Sequence, residues 1–250
     1  MLPCTQIPPL ELGGLKVYPF AVLVAFGVVL AHWLAVRRAG RCGLRPELAA
    51  RLGLAMAVAG FTGAWLFRMA YQPGAPSGIA SFGGIFGGLV GAWLYGRRNW
   101  TGRQLLQYVD LFACAFPVGW MFGRAGCTLA HDHLGRAGGW WFTADCGGGP
   151  RYDLGFIELL YMVPVAALLV WANRKQQPPG FALGLFLAVY GPFRVLLDRL
   201  HETPPQWLFW SVDRWSGLAA ALIGVGILWT CQRGLVLAGA RWNANMLRGG

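Results

Sequence analysis

The sequence predicts an all-α, polytopic integral membrane protein with about seven transmembrane helices. Three observations predict it. Of 250 residues, 56% are hydrophobic and only 12% charged, where a soluble domain carries about a quarter charged residues. Apolar runs recur at close to the ~20 helical residues that a ~30 Å bilayer core requires. Arginines gather between alternate runs, as they do on the cytoplasmic side of membrane proteins.

The first run, about 17–36, is followed by Arg37, Arg38, Arg41 and Arg45. Runs two and three, about 48–70 and 78–96, meet on the opposite side, and Arg97, Arg98 and Arg103 follow the third. The fourth covers about 105–122 and the fifth 154–173, which ends on Arg174 and Lys175. The sixth and seventh, about 180–200 and 214–232, lead to Arg233, Arg241 and Arg248. This alternation predicts an outside N-terminus and a cytoplasmic C-terminus, and an odd number of spans agrees with it. The chain reads as one membrane domain, 1–250, whose largest extracytoplasmic loop covers about 123–153. Trp140 and Trp141 in that loop suit an interfacial position. Glycine-rich SFGGIFGGLVGAWLYG permits close helix packing.

A net charge of +11 would suggest nucleic acid in a soluble chain, but here the arginines report topology, so no nucleic-acid partner is expected. Cys4, Cys42, Cys114, Cys127, Cys146 and Cys231 form no CxxC pair, and most are expected as buried small apolar residues. Cys127 and Cys146 fall on one side of the membrane, where an oxidising compartment would allow a disulfide between them. The N-terminus lacks a basic segment followed by an apolar core, so no cleavable signal peptide is expected, and Cys4 is not read as a lipidation site.

Ionisable groups at membrane depth are costly and each needs a reason. Asp110 lies early in the fourth span, Arg124 at its outer end and Glu158 just inside the fifth. Arg194 and Asp198 share one face of the sixth through i, i+4 spacing, which fits an intrahelical ion pair or a site. Arg124 and Arg194 at one outer depth could grip a phosphate, for which the guanidinium fork is suited. His131 and His133, with Cys127, make a weak zinc pattern. An outer-loop histidine pair is more often solvated or hydrogen-bonded, so no metal is expected. His32 inside the first span reads as a packing residue.

These residues resemble the bacterial prolipoprotein diacylglyceryl transferase family. Asp110, Pro117, Gly119, the GRAG of Gly123–Gly126 and then Gly135-Arg136 keep the spacing of a family signature. YGPFRVLLD is similar to the family's Tyr-Gly-x-Phe-Arg-x3-Glu, and Tyr18 matches a tyrosine opening the first span. RYDLGFIE resembles a degraded fifth-span motif that keeps Arg151 and Glu158.

The resemblance implies transfer of diacylglyceryl from phosphatidylglycerol to the lipobox cysteine thiol of a prolipoprotein signal peptide. It implies a monomer in the bacterial inner membrane, with the site toward the outer leaflet and no cofactor. Arg124 would hold the headgroup, with Tyr18, Gly123, Gly126, Gly135 and Glu158 around the substrate. Arg194 would act at the reacting end, with Asp132 and Asp198 standing where the family has Glu. The family histidine before Gly-Gly in the third span is absent, Gly83 or Phe86 taking its place, and Cys127 replaces an asparagine. His131 and His133 flank Asp132 and are the candidate replacement base. The alternatives are a paralog with another acceptor, a lipid-binding protein without turnover, and a transporter. A transporter fits least, because the charges cluster on the outer side.

Overall fold

The computed structural model describes residues 1–4, 7–13, 15–71, 80–98, 100–139, 141–202 and 206–248. Trp140 and residues 78–79 of the expected third span lie outside them. The described chain is built on seven helices: α1 Pro19–Arg41, α2 Pro46–Tyr71, α3 Ser81–Gly96, α4 Gly102–Ala130, α5 Leu154–Ala172, α6 Phe181–Leu197 and α7 Val212–Arg248. Six of them are long and apolar enough to cross a bilayer; α3, with 16 residues, is the short one. The protein is a multi-pass membrane protein. Its outward side chains fit that solvent, with Val22, Phe26 and Val29 on α1 and Leu222 and Val225 on α7 left exposed.

Helix boundaries follow local chemistry. Pro19 opens α1, where its missing N–H costs nothing. Thr101 and Gln104 close a capping box on α4, each side chain bonding the other's backbone N–H. Asp153 caps α5 by accepting from Phe156 N at 2.9 Å. The first turn of α6 has no cap of its own side chains. Asp110 of α4 supplies it, accepting from Gly180 N at 2.6 Å and Leu183 N at 2.9 Å.

The expected loop 123–153 begins later than the sequence suggested. Helix α4 continues through the GRAG segment to Ala130, because its glycines serve packing against α1. A Cβ on Gly126 would stand 2.9 Å from the Phe20 ring, and one on Gly119 would stand 2.5 Å from the Gly27 carbonyl oxygen. The helix stops at His131, which takes a left-handed conformation at φ 47°.

Beyond it, β3 (Leu134–Ala137), β4 (Thr143–Ala144) and β5 (Arg151–Asp153) form an antiparallel sheet of order β3-β5-β4. Two hairpins complete the strands, β1 (Leu10–Leu12) with β2 (Leu15–Val17) and β6 (Gln206–Trp207) with β7 (Trp210–Ser211). Leu2 bridges Ala144, so the N-terminus lies along the three-stranded sheet. There Cys4 is disulfide-bonded to Cys146. The anticipated Cys127–Cys146 bond is therefore not made; Cys127 is free and buried on α4.

Helix α1 packs on α4, α2 on α3, α6 on α7, and α5 on α4. The α2–α3 contact is a near backbone-to-backbone approach. A Cβ on Gly63 would meet the Gly83 carbonyl oxygen at 2.5 Å and the Gly87 Cα at 2.8 Å. Small residues permit such contacts where no hydrophobic force separates helix from lipid. Gly63→Val should therefore cost about 1–3 kcal/mol or more through overpacking. Gly226→Ala, with open space around it, should be neutral or slightly stabilising. Chemical unfolding of the detergent-solubilised variants checks both.

Candidate functional site

Helices α4, α5 and α6 place two arginines on one carboxylate. Glu158 is buried, and its Oε2 lies 3.1 Å from Arg124 Nη2 and 3.1 Å from Arg194 Nη1. The other oxygen, Oε1, accepts from Trp120 Nε1 at 2.8 Å and Tyr190 Oη at 2.7 Å. Arg124 also donates to Ser81 Oγ at 2.9 Å and lies 5.0 Å from the Trp120 ring centroid. Arg194 extends its second nitrogen to Asp213 of α7 at 2.8 Å. Both arginines are buried, and the Nε of each has no hydrogen-bond partner.

The expected Arg194–Asp198 ion pair is replaced by other partners. Asp198 N–H still bonds the Arg194 carbonyl, so the two residues share a helix face, and a 3-10 turn, Asp198–Leu200, starts there. It accepts from Ser211 Oγ at 2.7 Å and pairs with Arg214 Nε at the same distance. It is buried and serves the junction between α6 and α7. Glu158, expected beside the substrate, is the shared counter-charge of the two arginines.

The two histidines part company. His131 is buried, with Nδ1 2.8 Å from Asp153 and Nε2 3.2 Å from the Pro3 carbonyl. Both ring nitrogens are thus engaged in holding the N-terminal segment against the cap of α5, and His131 and His133 do not face one site. His133 is about half exposed, its Nδ1 2.6 Å from Asp132 Oδ1. Donor atoms of Cys127, Asp132 and His133 lie within 4.8 Å of one another, close enough to share an ion. Arg124 Nη1, however, already lies 3.7 Å from the Cys127 sulfur, a fixed positive charge beside the softest donor.

A cavity of about 790 Å³ runs between α1, α2, α3 and α4. Its walls are mostly apolar, among them Val28, Leu54 and Phe116, while Arg124, Cys127 and His133 line it where α4 ends. His32 also lines it. Gly123 packs near Val24, and a Cβ on Gly135 would meet the Leu200 carbonyl, so these glycines permit close packing at the end of the bundle that carries the arginines. Tyr18 precedes α1 and is half exposed. Gly83 faces Gly63, leaving no room for a histidine there.

Sequence reasoning placed Tyr190 in a family-like motif without giving it a role, and missed Ser81, Trp120 and Asp213. Two of these were within reach, since Trp120 and Tyr190 precede Arg124 and Arg194 by four residues and so share their helix faces. Ser81 and Asp213 reach the arginines from other helices, and no local spacing marks them.

Replacing Glu158 with glutamine keeps the shape and strands two buried guanidinium charges. Glu158→Gln should lose about 3–5 kcal/mol of stability, read by denaturant unfolding in detergent. Partial burial works against a charge on His133, but hydrogen bonds to Asp132 and Cys127 outweigh it and push its pKa from 6.5 up to about 9. A raised pKa means the pair stabilises the fold fully below about 6.5, and that contribution is lost as the pH rises through about 9. Histidine-selective NMR should show His133 titrating near the upper value, and nearer the ordinary value in Asp132→Asn.

Comparison with known proteins adds an independent finding. A family model described as prolipoprotein diacylglyceryl transferase matches residues 9–230. A phosphatidylglycerol–prolipoprotein diacylglyceryl transferase of Chromohalobacter salexigens is 30% identical, the match covering 85% of this chain and 86% of that protein. Proteins of the same name from Vibrio cholerae and Azotobacter vinelandii are 30% and 29% identical, over 90% and 95% of this chain and 91% and 100% of their own lengths. Matched across most of its length to the model and to these enzymes, the chain belongs to the prolipoprotein diacylglyceryl transferase family.

Proposed function

We propose that this protein moves a diacylglyceryl group from phosphatidylglycerol to the lipobox cysteine thiol of a prolipoprotein signal peptide. The observation that carries the reading is the pair Arg124 and Arg194, fixed on Glu158, with Arg124 lining a mostly apolar cavity of about 790 Å³. In the reaction a thiolate attacks a glycerol carbon, a C–S bond forms, and the C–O bond to phosphate breaks. Glycerol phosphate leaves with the electron pair. Charge grows on that phosphate in the transition state, and preorganised guanidinium groups stabilise it there.

Arg124 binds the headgroup and Arg194 acts at the breaking bond. His133, oriented by Asp132, takes the acceptor proton in place of the family histidine; His131 and Asp198 support the outer cap, and Tyr18, Gly123, Gly126 and Gly135 shape the substrate path. The whole of 1–250 works as one domain and as a monomer. It lies in the bacterial inner membrane with its N-terminus outside, its C-terminus cytoplasmic and its site at the outer leaflet. The arginine distribution supports that orientation, as does a disulfide between Cys4 and Cys146, a bond that persists in oxidising compartments.

A second reading, lipid binding without turnover or transfer to another acceptor, is favoured by the absent family histidine, whose place falls to Gly83, where a histidine would not fit, or to Phe86, which cannot act as a base. The two are separated by incubating the protein in phosphatidylglycerol vesicles with a lipobox-cysteine peptide. A diacylglyceryl mass gain on the peptide is expected, and kcat/KM should fall by ~100-fold or more in Arg124→Ala and Arg194→Ala. Lipid binding with no mass gain would favour the second reading, as would failure to rescue a strain depleted of its own transferase.

A further inference from the structure

Cys127, His133 and Asp132 bring a thiol, an imidazole and a carboxylate together where α4 ends. Asp132 holds His133 Nδ1 at 2.6 Å, so Nε2 is the ring nitrogen it leaves unengaged, and one donor atom from each of the three residues lies within 4.8 Å of the others. Arg124 Nη1 lies 3.7 Å from the same sulfur. Cys127 is 4% exposed, yet both it and His133 line the cavity, so the thiol meets an apolar space and not bulk water. An imidazole aligned by a carboxylate activates a thiol, and a neighbouring fixed cation favours the thiolate. The transfer reaction, whose nucleophile is the thiol of the acceptor peptide, does not use this cysteine.

We propose that Cys127 is itself an acyl-accepting nucleophile, taking a fatty acyl group from an ester of a glycerolipid held in the cavity. His133 takes the thiol proton, and the thiolate attacks the ester carbonyl carbon. A C–S bond forms as the C–O bond to glycerol breaks, and the proton on His133 passes to the departing glycerol oxygen. The products are an acyl thioester on Cys127 and a lysolipid bearing a free hydroxyl, with no further reactant. Arg124, whose Nη1 lies 3.7 Å from the sulfur, is the fixed positive charge beside the carbonyl oxygen as it gains charge. Attack at a glycerol carbon instead would leave a thioether, which has no ready route onward and would end turnover. A thioester passes its acyl group on to an amine, a thiol or water. The proposal shares with the transfer reading the entry of a glycerolipid into this cavity, but breaks a different bond.

The test uses the full chain carrying Cys42→Ser, which removes the exposed free cysteine, in vesicles of phosphatidylglycerol. Intact-mass and peptide analysis should find one acyl group on Cys127, released by neutral hydroxylamine and absent in Cys127→Ser and Cys127→Ala. Alkylation of Cys127 by iodoacetamide, a readout that mere packing would not move, should slow by ~10-fold or more in His133→Gln. Asp132→Asn should slow it less, and Asp132→Glu should restore part of the rate. An absent acyl adduct together with alkylation indifferent to His133→Gln would overturn the proposal. So would a hydroxylamine-stable diacylglyceryl mass on Cys127, or one equivalent of zinc lost in Cys127→Ser. Peptide transfer is read in the same vesicles. Acylation without transfer supports this proposal while failing the transfer reading; transfer without acylation overturns this proposal alone.

Discussion

Glu158 receives four donors on two oxygens, two of them charged. Removing a carboxylate and two guanidinium groups from water costs several kcal/mol per ion, and close pairing must offset it. The arrangement divides that work: Arg124 and Arg194 converge on Oε2, while Trp120 and Tyr190 satisfy Oε1 without adding charge. Asp213 then supplies a second negative charge to Arg194 from a partly exposed position. Because the donors come from α4 and α6 and the acceptor from α5, the network also fixes three helices relative to one another. Any anion that enters must compete with carboxylates already in place, and the half-open Asp213 is the weaker competitor.

Around this centre the cap of short strands is tied from the far end of the chain. Cys4 bonds to Cys146, Leu2 joins the sheet beside Ala144, and the Pro3 carbonyl meets His131. His131 in turn holds Asp153, which caps the helix that carries Glu158. The sequence of contacts is continuous, from the first residues to the carboxylate on which the arginines rest. His131 thus has a structural task that its neighbour His133 does not share, although both looked alike as residues two apart in a polar stretch.

Much of the architecture was legible because bilayer thickness constrains length and composition so strongly. The spans were read to within a few residues for α2, α5 and α6, and family motifs marked Arg124, Glu158 and Arg194. Three things escaped. The continuation of α4 through GRAG was hidden because glycine reads locally as a helix breaker, while its use here is the close approach of α1. The partner of Cys146 was hidden because disulfide pairing depends on where the chain ends meet in space. The Arg194–Asp198 spacing was correct as geometry, since Asp198 N–H still bonds the Arg194 carbonyl, but each side chain found its partners on other elements.

Asp110 looked from the sequence like a costly charge in need of a chemical purpose. Its purpose is mechanical. By binding Gly180 N and Leu183 N it pins the start of α6 to α4, about 14 residues and so ~21 Å of helix away from Arg124. A slip of α6 by one residue would shift Arg194 by ~1.5 Å and swing it ~100° about the axis, off Glu158 altogether. The two ends of α4 therefore act as the marks of a ruler: one sets where the neighbouring helix begins, and the other meets the side chain that this beginning delivers. Depth in the membrane, which lipid alone specifies only loosely, is here measured by protein against protein.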